Sequence, residues 1–544
     1  MSNSDAIKEL EKIVDGCLLR NRLYGFPFGT ILGAIGYLAG YQYYKNKTVE
    51  PELLAPLPFI FDKNIDFSPQ RAQKVWESLR QVTEDENFRE DFKNLMECAN
   101  LNIVFPYIHQ KEYVLSKTSN NSYVIEYTSE EIRKAEITDT IVSRLGQSYV
   151  IPSANTDESF YQYVQDCIRT GKKPDFIKKT TFVSRSNKDM RTISYVEDDL
   201  VSSDFYTHIG FSSKDAFCNI RDAFCTILHL YANALKYCYH CIEIYKLDIS
   251  ATILSGLSLP IIKKRDLKST VLKVSRVSNR DYDTFYKFFF ADKNNLKYMT
   301  KAFLPPFWII GGYIYFSPSI SISMLSERNL LKSIKENERY SLEYDYDGRI
   351  SSMLEPMLVQ RASEVFEKHG IKICVGKAMP GSEIDLIAYS PAENTCMLIQ
   401  AKATLPPEGS KEIRHLSTRV EEACRQLDKF VELPEGQKGK VLSDAFPSLE
   451  VDDGVRVIYG VLVNRGFGTY KSYRVMRNKG YVGLNCNILD NVLSDGQGLN
   501  NFSVRVSEFV RSKVDDSRVK LLNNYFTFAG VEIKQSNFRI DGSI

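Results

Sequence analysis

The chain has 544 residues, with 70 Lys and Arg against 68 Asp and Glu and a formal net charge of +2. Hydrophobic residues make up 43% and charged residues 25%, which excludes disordered and collagen-like classes and leaves room for about two to four globular domains. The basic excess common among nucleic-acid binders is absent, so any such surface must be basic locally. Lys172-Lys173, Lys178-Lys179 and Lys263-Lys264-Arg265 are short candidate runs. Eleven cysteines, odd in number and irregularly spaced, point to free thiols in a reducing cytosol.

In chain order, Asp5 to Arg20 reads as a polar helix rather than a secretion signal. No charge occurs from Leu23 to Tyr44, but Gly25, Gly29, Gly33, Gly36 and Gly40, several tyrosines and Pro27 interrupt that stretch. Its apolar transfer energy is too small for stable membrane insertion. It is expected to pack inside protein or against a second copy, with Gly29/Gly33 and Gly36/Gly40 admitting close helix approach. Membrane association is not expected, and a homo-oligomer is left open. Pro51, Pro56 and Pro58 mark its exit.

A charged helical region, Ser68 to Cys98, comes next. Strands follow at Ile103–Leu115 and Tyr123–Tyr127, then helices at Ser129–Leu145 and Thr156–Thr170. A long helix begins after Ser213 and runs to about Leu247, with Phe217, Ile220, Phe224, Leu228, Tyr231 and Leu235 as its apolar stripe. It carries Cys218, Cys225, His229, Cys238 and Cys241. Zinc ligands normally converge from a turn, so these are read as core side chains. A strand is expected at Thr270–Val274 and an aromatic helix near Tyr282–Phe290. A hairpin of Phe307–Ile310 and Tyr313–Phe316 turns through Gly311-Gly312. The charged stretch Leu331–Arg349 is taken as a domain boundary. The division is 1–60, a helix and Gly/Tyr-rich segment; 61–335, a mainly α region; and 345–544, a C-terminal domain with core 350–466.

In that last part, Ser351 to His369 reads as a helix with Leu354, Leu358, Ala362, Val365 and Phe366 on one face. A small strand is expected near Ile371–Val375. Glu383–Tyr389 and Thr395–Ala403 read as a strand pair joined by the turn Ser390–Asn394. Lys411–Leu433 supplies a helix with Leu416, Val420, Ala423, Leu427 and Val431 in register, and Val455–Val463 a buried strand. Leu405–Ser410 and Pro434–Gly454 read as loops. Asn485–Val492, a helix at Val504–Val514 and a last strand at Tyr525–Ile533 complete the chain.

The chemistry concentrates at the ends of the strand pair. Side chains repeat every two residues along a strand, so Gln400 and Lys402 share a face, with Asp385 on the neighbouring strand. A carboxylate and an amide oxygen suit a hard divalent cation such as Mg²⁺, and the Ala401 carbonyl can complete the protein's share. An ammonium beside them can orient an attacking water or stabilise charge on a phosphate. Glu383, two residues before Asp385, falls on the same face and is placed behind the metal ligands.

This arrangement resembles the PD-(D/E)XK nuclease superfamily, and within it the Mrr-like branch, where Gln replaces the second acid. The resemblance covers about Ile350 to Gly466. It implies a C-terminal restriction-endonuclease-like α/β domain on a mixed sheet; with the α-rich N-terminal region read above, the chain is expected to be an α+β multidomain protein. It further implies Mg²⁺- or Mn²⁺-dependent hydrolysis of phosphodiester bonds, with DNA as partner, and a role in restriction or defence in a prokaryote. The family's first helix brings an acid to the metal. Glu355 matches it best, with Glu364 in reserve. The catalytic set is thus Asp385, Gln400, Lys402 and Glu355, and the metal set Asp385, Gln400, Ala401 and Glu355. Two departures stand out: Ile384 precedes Asp385 where the family has proline, and Gln400 removes a negative charge. The neutral amide and near-zero net charge also fit a second reading, an inactive nuclease fold serving as a scaffold.

Overall fold

The computed structural model describes residues 3–46, 53, 85–146, 156–190, 200–292, 294, 305–407, 409–447 and 454–541. The chain is a mixed α+β protein with an α-rich N-terminal part and three mixed sheets. The proline-rich exit and residues 68–84 of the charged helical region lie outside the described residues.

Helices Asn3–Arg20 and Phe28–Asn46 open the chain. In the second, Phe28 to Gly36, Ala39 and Gly40 are buried, so the uncharged stretch packs within protein. No single helix among the described residues is long and apolar enough to cross a membrane; Ser4–Gly25 and Phe28–Asn46 pass only as a pair bent by 106°. Helix Glu86–His109 runs through Ile103, where a strand was expected. Phe88, Phe92, Leu95, Ala99 and Phe105 recur at helical spacing and are buried. Of the apolar run Ile103–Phe105 only Phe105 joins that stripe, and Ile103 is exposed; a short apolar run alone does not separate strand from helix. Strand β1 (Tyr113–Ser119) starts later and pairs antiparallel with β2 (Ser122–Tyr127).

The helix Lys214–Tyr245 organises the largest core. Cys225, Cys238 and Cys241 are buried and Cys218 is half-buried, with burial pushing the Cys238 thiol up to about 12. Thr270–Val274 lies in helix Lys264–Ser275, not in a strand. Leu267, Thr270, Val271 and Val274 form one buried helical face, so packing overrides the β-branched local preference. The aromatic helix is Asn279–Phe289. Strands β3 (Ile261–Lys263), β4 (Phe290–Ala291), β5 (Phe307–Ile310) and β6 (Tyr313–Tyr315) form a small sheet in the order β3-β6-β5-β4. Gly311 and Gly312 turn the β5–β6 hairpin with φ of 56° and 82°, a region that favours glycine. The charged stretch Leu331–Arg349 is largely helical, and Leu331, Ile334, Tyr340 and Tyr346 are buried in the same core as the long helix.

Helix Ser351–Lys368 leads into a five-stranded sheet. It comprises β7 (Lys372–Met379), β8 (Ser382–Ser390), β9 (Thr395–Lys402), β10 (Arg456–Val463) and β11 (Val482–Leu484), in the order β11-β10-β9-β8-β7. β7, β8 and β9 run antiparallel in succession, and β10 and β11 join parallel. β7 extends beyond the short strand expected near Ile371–Val375. Helix Ser410–Val431 covers the sheet with Leu416, Val420, Ala423, Leu427 and Phe430; Val431 is exposed instead, one position off the stripe. Pro434–Gly454 is not all loop, because helix Glu435–Ala445 buries Val441 and Leu442.

The expected last strand is a hairpin. β12 (Arg518–Phe528) turns at Ala529-Gly530 into β13 (Val531–Asp541). Both turn residues have positive φ, 46° and 77°, and alanine gives no sequence signal for that conformation. β13 then pairs parallel with β2, Glu532 to Gln535 opposite Ser122 to Ile125. The end of the chain thus completes the first sheet, in the order β1-β2-β13-β12.

Candidate active site

β8 and β9 pair from Ser390–Thr395 down to Leu386–Ile399. Past that point the cross-strand contacts pass to side chains. The Ala401 N–H donates to the Asp385 carboxylate at 2.8 Å, and the Gln400 amide nitrogen donates to the Glu383 backbone carbonyl at 2.5 Å. On the other side β9 stays paired with β10, Gln400 opposite Val461 and Lys402 opposite Val463. Every residue of β9 is buried. Polar groups at its end are therefore held rigidly and poorly hydrated.

Lys402 is only 3% exposed. A buried ammonium requires a partner, and Glu355 supplies one at 3.3 Å. The helix Ser351–Lys368 fixes Glu355 by burying Leu354 and Leu358 on either side of it. Pro356 follows within the helix; lacking an N–H, it leaves the Ser352 carbonyl without its usual helical donor. The second Glu355 oxygen lies 3.7 Å from Arg419, which also meets Glu422 at 2.6 Å.

Asp385 is half-buried, and burial pushes its pKa up to about 6. The Ala401 N–H and the Lys402 charge pull it down, whereas Glu355 and Glu383 push it further up. Asp385, Gln400, Ala401, Lys402 and Glu355 thus lie together. Glu383 contributes its backbone carbonyl to Gln400, while its carboxylate is exposed. Glu364 is exposed and accepts from Gln360 at 3.0 Å; among the described residues it makes no hydrogen bond or ion pair with the group.

Among the described residues, no three His, Cys, Asp or Glu side chains converge as a metal site. The donors here are of a different kind: the Asp385 and Glu355 carboxylates and the Gln400 amide oxygen. That oxygen is buried and has no hydrogen-bond partner among the described residues, a deficit of about 1–3 kcal/mol. A hard cation accepts such oxygens, so this set fits Mg²⁺.

Three neighbours carried no local sequence signal. Arg328 donates to the Pro406 carbonyl at 2.9 and 2.7 Å, holding the loop that leaves β9. Asn464, just past β10, accepts from the Thr404 N–H at 3.1 Å. Arg419 meets Glu355 across 64 positions of sequence (419 − 355); its place on the apolar-striped helix was legible, but not its partner. On the long helix, His229 is buried with neither ring nitrogen partnered among the described residues, and burial pulls its pKa down to about 4. No family model, curated protein or solved structure matches this chain.

Proposed function

We propose that the chain is a metal-dependent nuclease that hydrolyses phosphodiester bonds, with DNA as substrate. One observation carries this reading: Asp385, Gln400, Lys402 and Glu355 converge where β8 and β9 part, beside an unpartnered buried amide oxygen. The α-β-β-β-α-β order around them, with the extra helix Glu435–Ala445 before β10, also supports the PD-(D/E)XK resemblance. Asp385, Glu355 and Gln400 would hold Mg²⁺, which when bound supplies Lewis acidity and an acidified water. Lys402, rigid and nearly dry, is preorganised to stabilise charge that builds on the phosphate. Its pairing with Glu355 keeps it oriented before substrate arrives.

The test is cleavage of plasmid and linear DNA by the purified chain with Mg²⁺ or Mn²⁺. Lys402→Ala should lower the rate about a hundredfold or more, and Asp385→Ala should in addition weaken Mn²⁺ binding. Gln400→Glu should keep activity or change metal preference, since it adds an acid at a donor position. A parent that cuts nothing with either metal, or a Lys402→Ala variant that cuts like the parent, sinks the reading.

A further inference from the structure

We propose that a basic edge shared by two parts of the chain, Lys411 and Arg419 on one helix, with His415 between them, and Lys335 on another, tracks the DNA phosphate backbone into the candidate site. The proposal rests on the phosphodiester reading of that site and adds where the strand lies.

Lys411, His415 and Arg419 are spaced i, i+4 and i+8 on helix Ser410–Val431, so they form one stripe. Eight residues rise about 12 Å along a helix, the length of roughly three to four nucleotides at ~3.4 Å each. The stripe ends at the site, because Arg419 lies 3.7 Å from Glu355 and Glu355 lies 3.3 Å from Lys402. Lys335 joins it from helix Glu327–Lys335. That helix is moored alongside the first turn of the other, where Arg328 and Lys332 approach Glu412 at 3.9 and 3.7 Å. Lys335 lies one turn beyond Lys332, as His415 lies one turn beyond Glu412. Lys335, Lys411 and His415 are exposed.

Around His415 two cations, Lys335 and Arg419, stand against one acid, Glu422. The His415 pKa is held below its ordinary value by burial, then by Lys335 and Arg419, with Glu422 opposing. Lys402 is too buried to reach more than the reacting phosphate, so flanking phosphates need other cations. Arg419 is available for one. Its side chain is 34% exposed, its contact with Glu355 is long, and its 2.6 Å pair with Glu422 lies at the surface; such exposed pairs contribute little and exchange cheaply.

The experiment uses the full chain in EDTA, which removes cleavage, and a fluorescent DNA duplex of about 30 base pairs. Anisotropy gives affinity between about 50 and 200 mM salt. Lys335→Ala and Lys411→Ala should each weaken binding several-fold and reduce the salt slope by about one; the double variant should lose about two. Lys335→Glu and Lys411→Glu should be worse. Both substituted positions, Lys335 and Lys411, carry exposed side chains, and unchanged melting would show an intact fold. Variants that match the parent in affinity and slope, or a parent that does not bind DNA, overturn the proposal. A parent that binds through these lysines but cleaves nothing supports the track and removes the hydrolytic reading.

Discussion

Asp385 sits where burial raises its pKa from the ordinary 3.8 to about 6. Between those values the folded chain holds a proton that the unfolded chain has lost. The folded state is therefore unpenalised below about pH 4, loses stability as pH rises toward 6, and above that carries the full cost of an ionised, half-buried carboxylate. The difference corresponds to roughly 3 kcal/mol. Asp385→Asn removes the charge while its amide oxygen can still accept from Ala401. It should raise the thermal midpoint by a few degrees at pH 8, show no gain near pH 4, and abolish cleavage. An equal gain at both pH values would remove the ionisation argument. Bound Mg²⁺ should cancel the parent's deficit, so the difference between parent and variant should shrink with added metal. At this scale the sequence was informative because a strand alternates strictly: Asp385, Gln400 and Lys402 needed only the hairpin register to meet. The hydrogen bond from Gln400 to the Glu383 backbone was not legible, because it arises where the ladder ends and alternation ceases to determine the contacts.

Helix Phe28–Asn46 shows how an element is seated by what it lacks. A methyl group at Gly36 would stand 2.8 Å from the Ser258 backbone oxygen, and one at Gly40 would overlap the Leu235 side chain on the long helix. Alanine is worth about 1 kcal/mol over glycine in a helix interior, and overpacking costs about 1–3 kcal/mol. At Gly36 the obstacle is backbone, which cannot swing aside, so Gly36→Ala should be net destabilising. At Gly40 the obstacle is the flexible end of a leucine, so Gly40→Ala should cost less despite the closer overlap. Denaturant midpoints check the order, and a reversed order would contradict it. Glycine spacing and missing charge made this burial legible from sequence. The strand expected at Ile103–Leu115 forms only from Tyr113, and the one at Thr270–Val274 not at all, for the opposite reason. Their β-branched residues suggested extended chain, but buried positions three and four apart came from longer helices whose other turns are polar.

On the scale of the whole molecule, N-terminal elements support the candidate site through contacts remote in sequence. Arg328 holds Pro406, Asn485 donates to the Val142 carbonyl at 3.2 Å, and β13 returns to β2. Asp139, on helix Glu130–Leu145, is the strongest such link. A single carboxylate oxygen accepts from the Phe467 N–H at 2.6 Å, the Gly468 N–H at 3.1 Å and the Tyr473 hydroxyl at 2.9 Å. Even so, burial raises its pKa to about 6. The held loop begins at Asn464, which accepts from Thr404, two residues past Lys402. Asp139→Ala leaves three donors unpaired and should cost about 3 kcal/mol or more. It should also slow Mg²⁺-dependent cleavage at least about tenfold, because small displacements of reacting groups are expensive. Asp139→Asn keeps one acceptor oxygen for all three donors and removes the ionisation. It should retain cleavage, and at pH 8 it should be no less stable than the parent, since an acid with a raised pKa loses stability as pH rises through about 6. Melting at pH 5 and 8, with cleavage rates for both variants, separates the cases. If Asp139→Asn is as damaging as Asp139→Ala, the carboxylate's charge rather than its acceptor oxygen holds the loop; if Asp139→Ala cleaves like the parent, helix Glu130–Leu145 has no hold on the site.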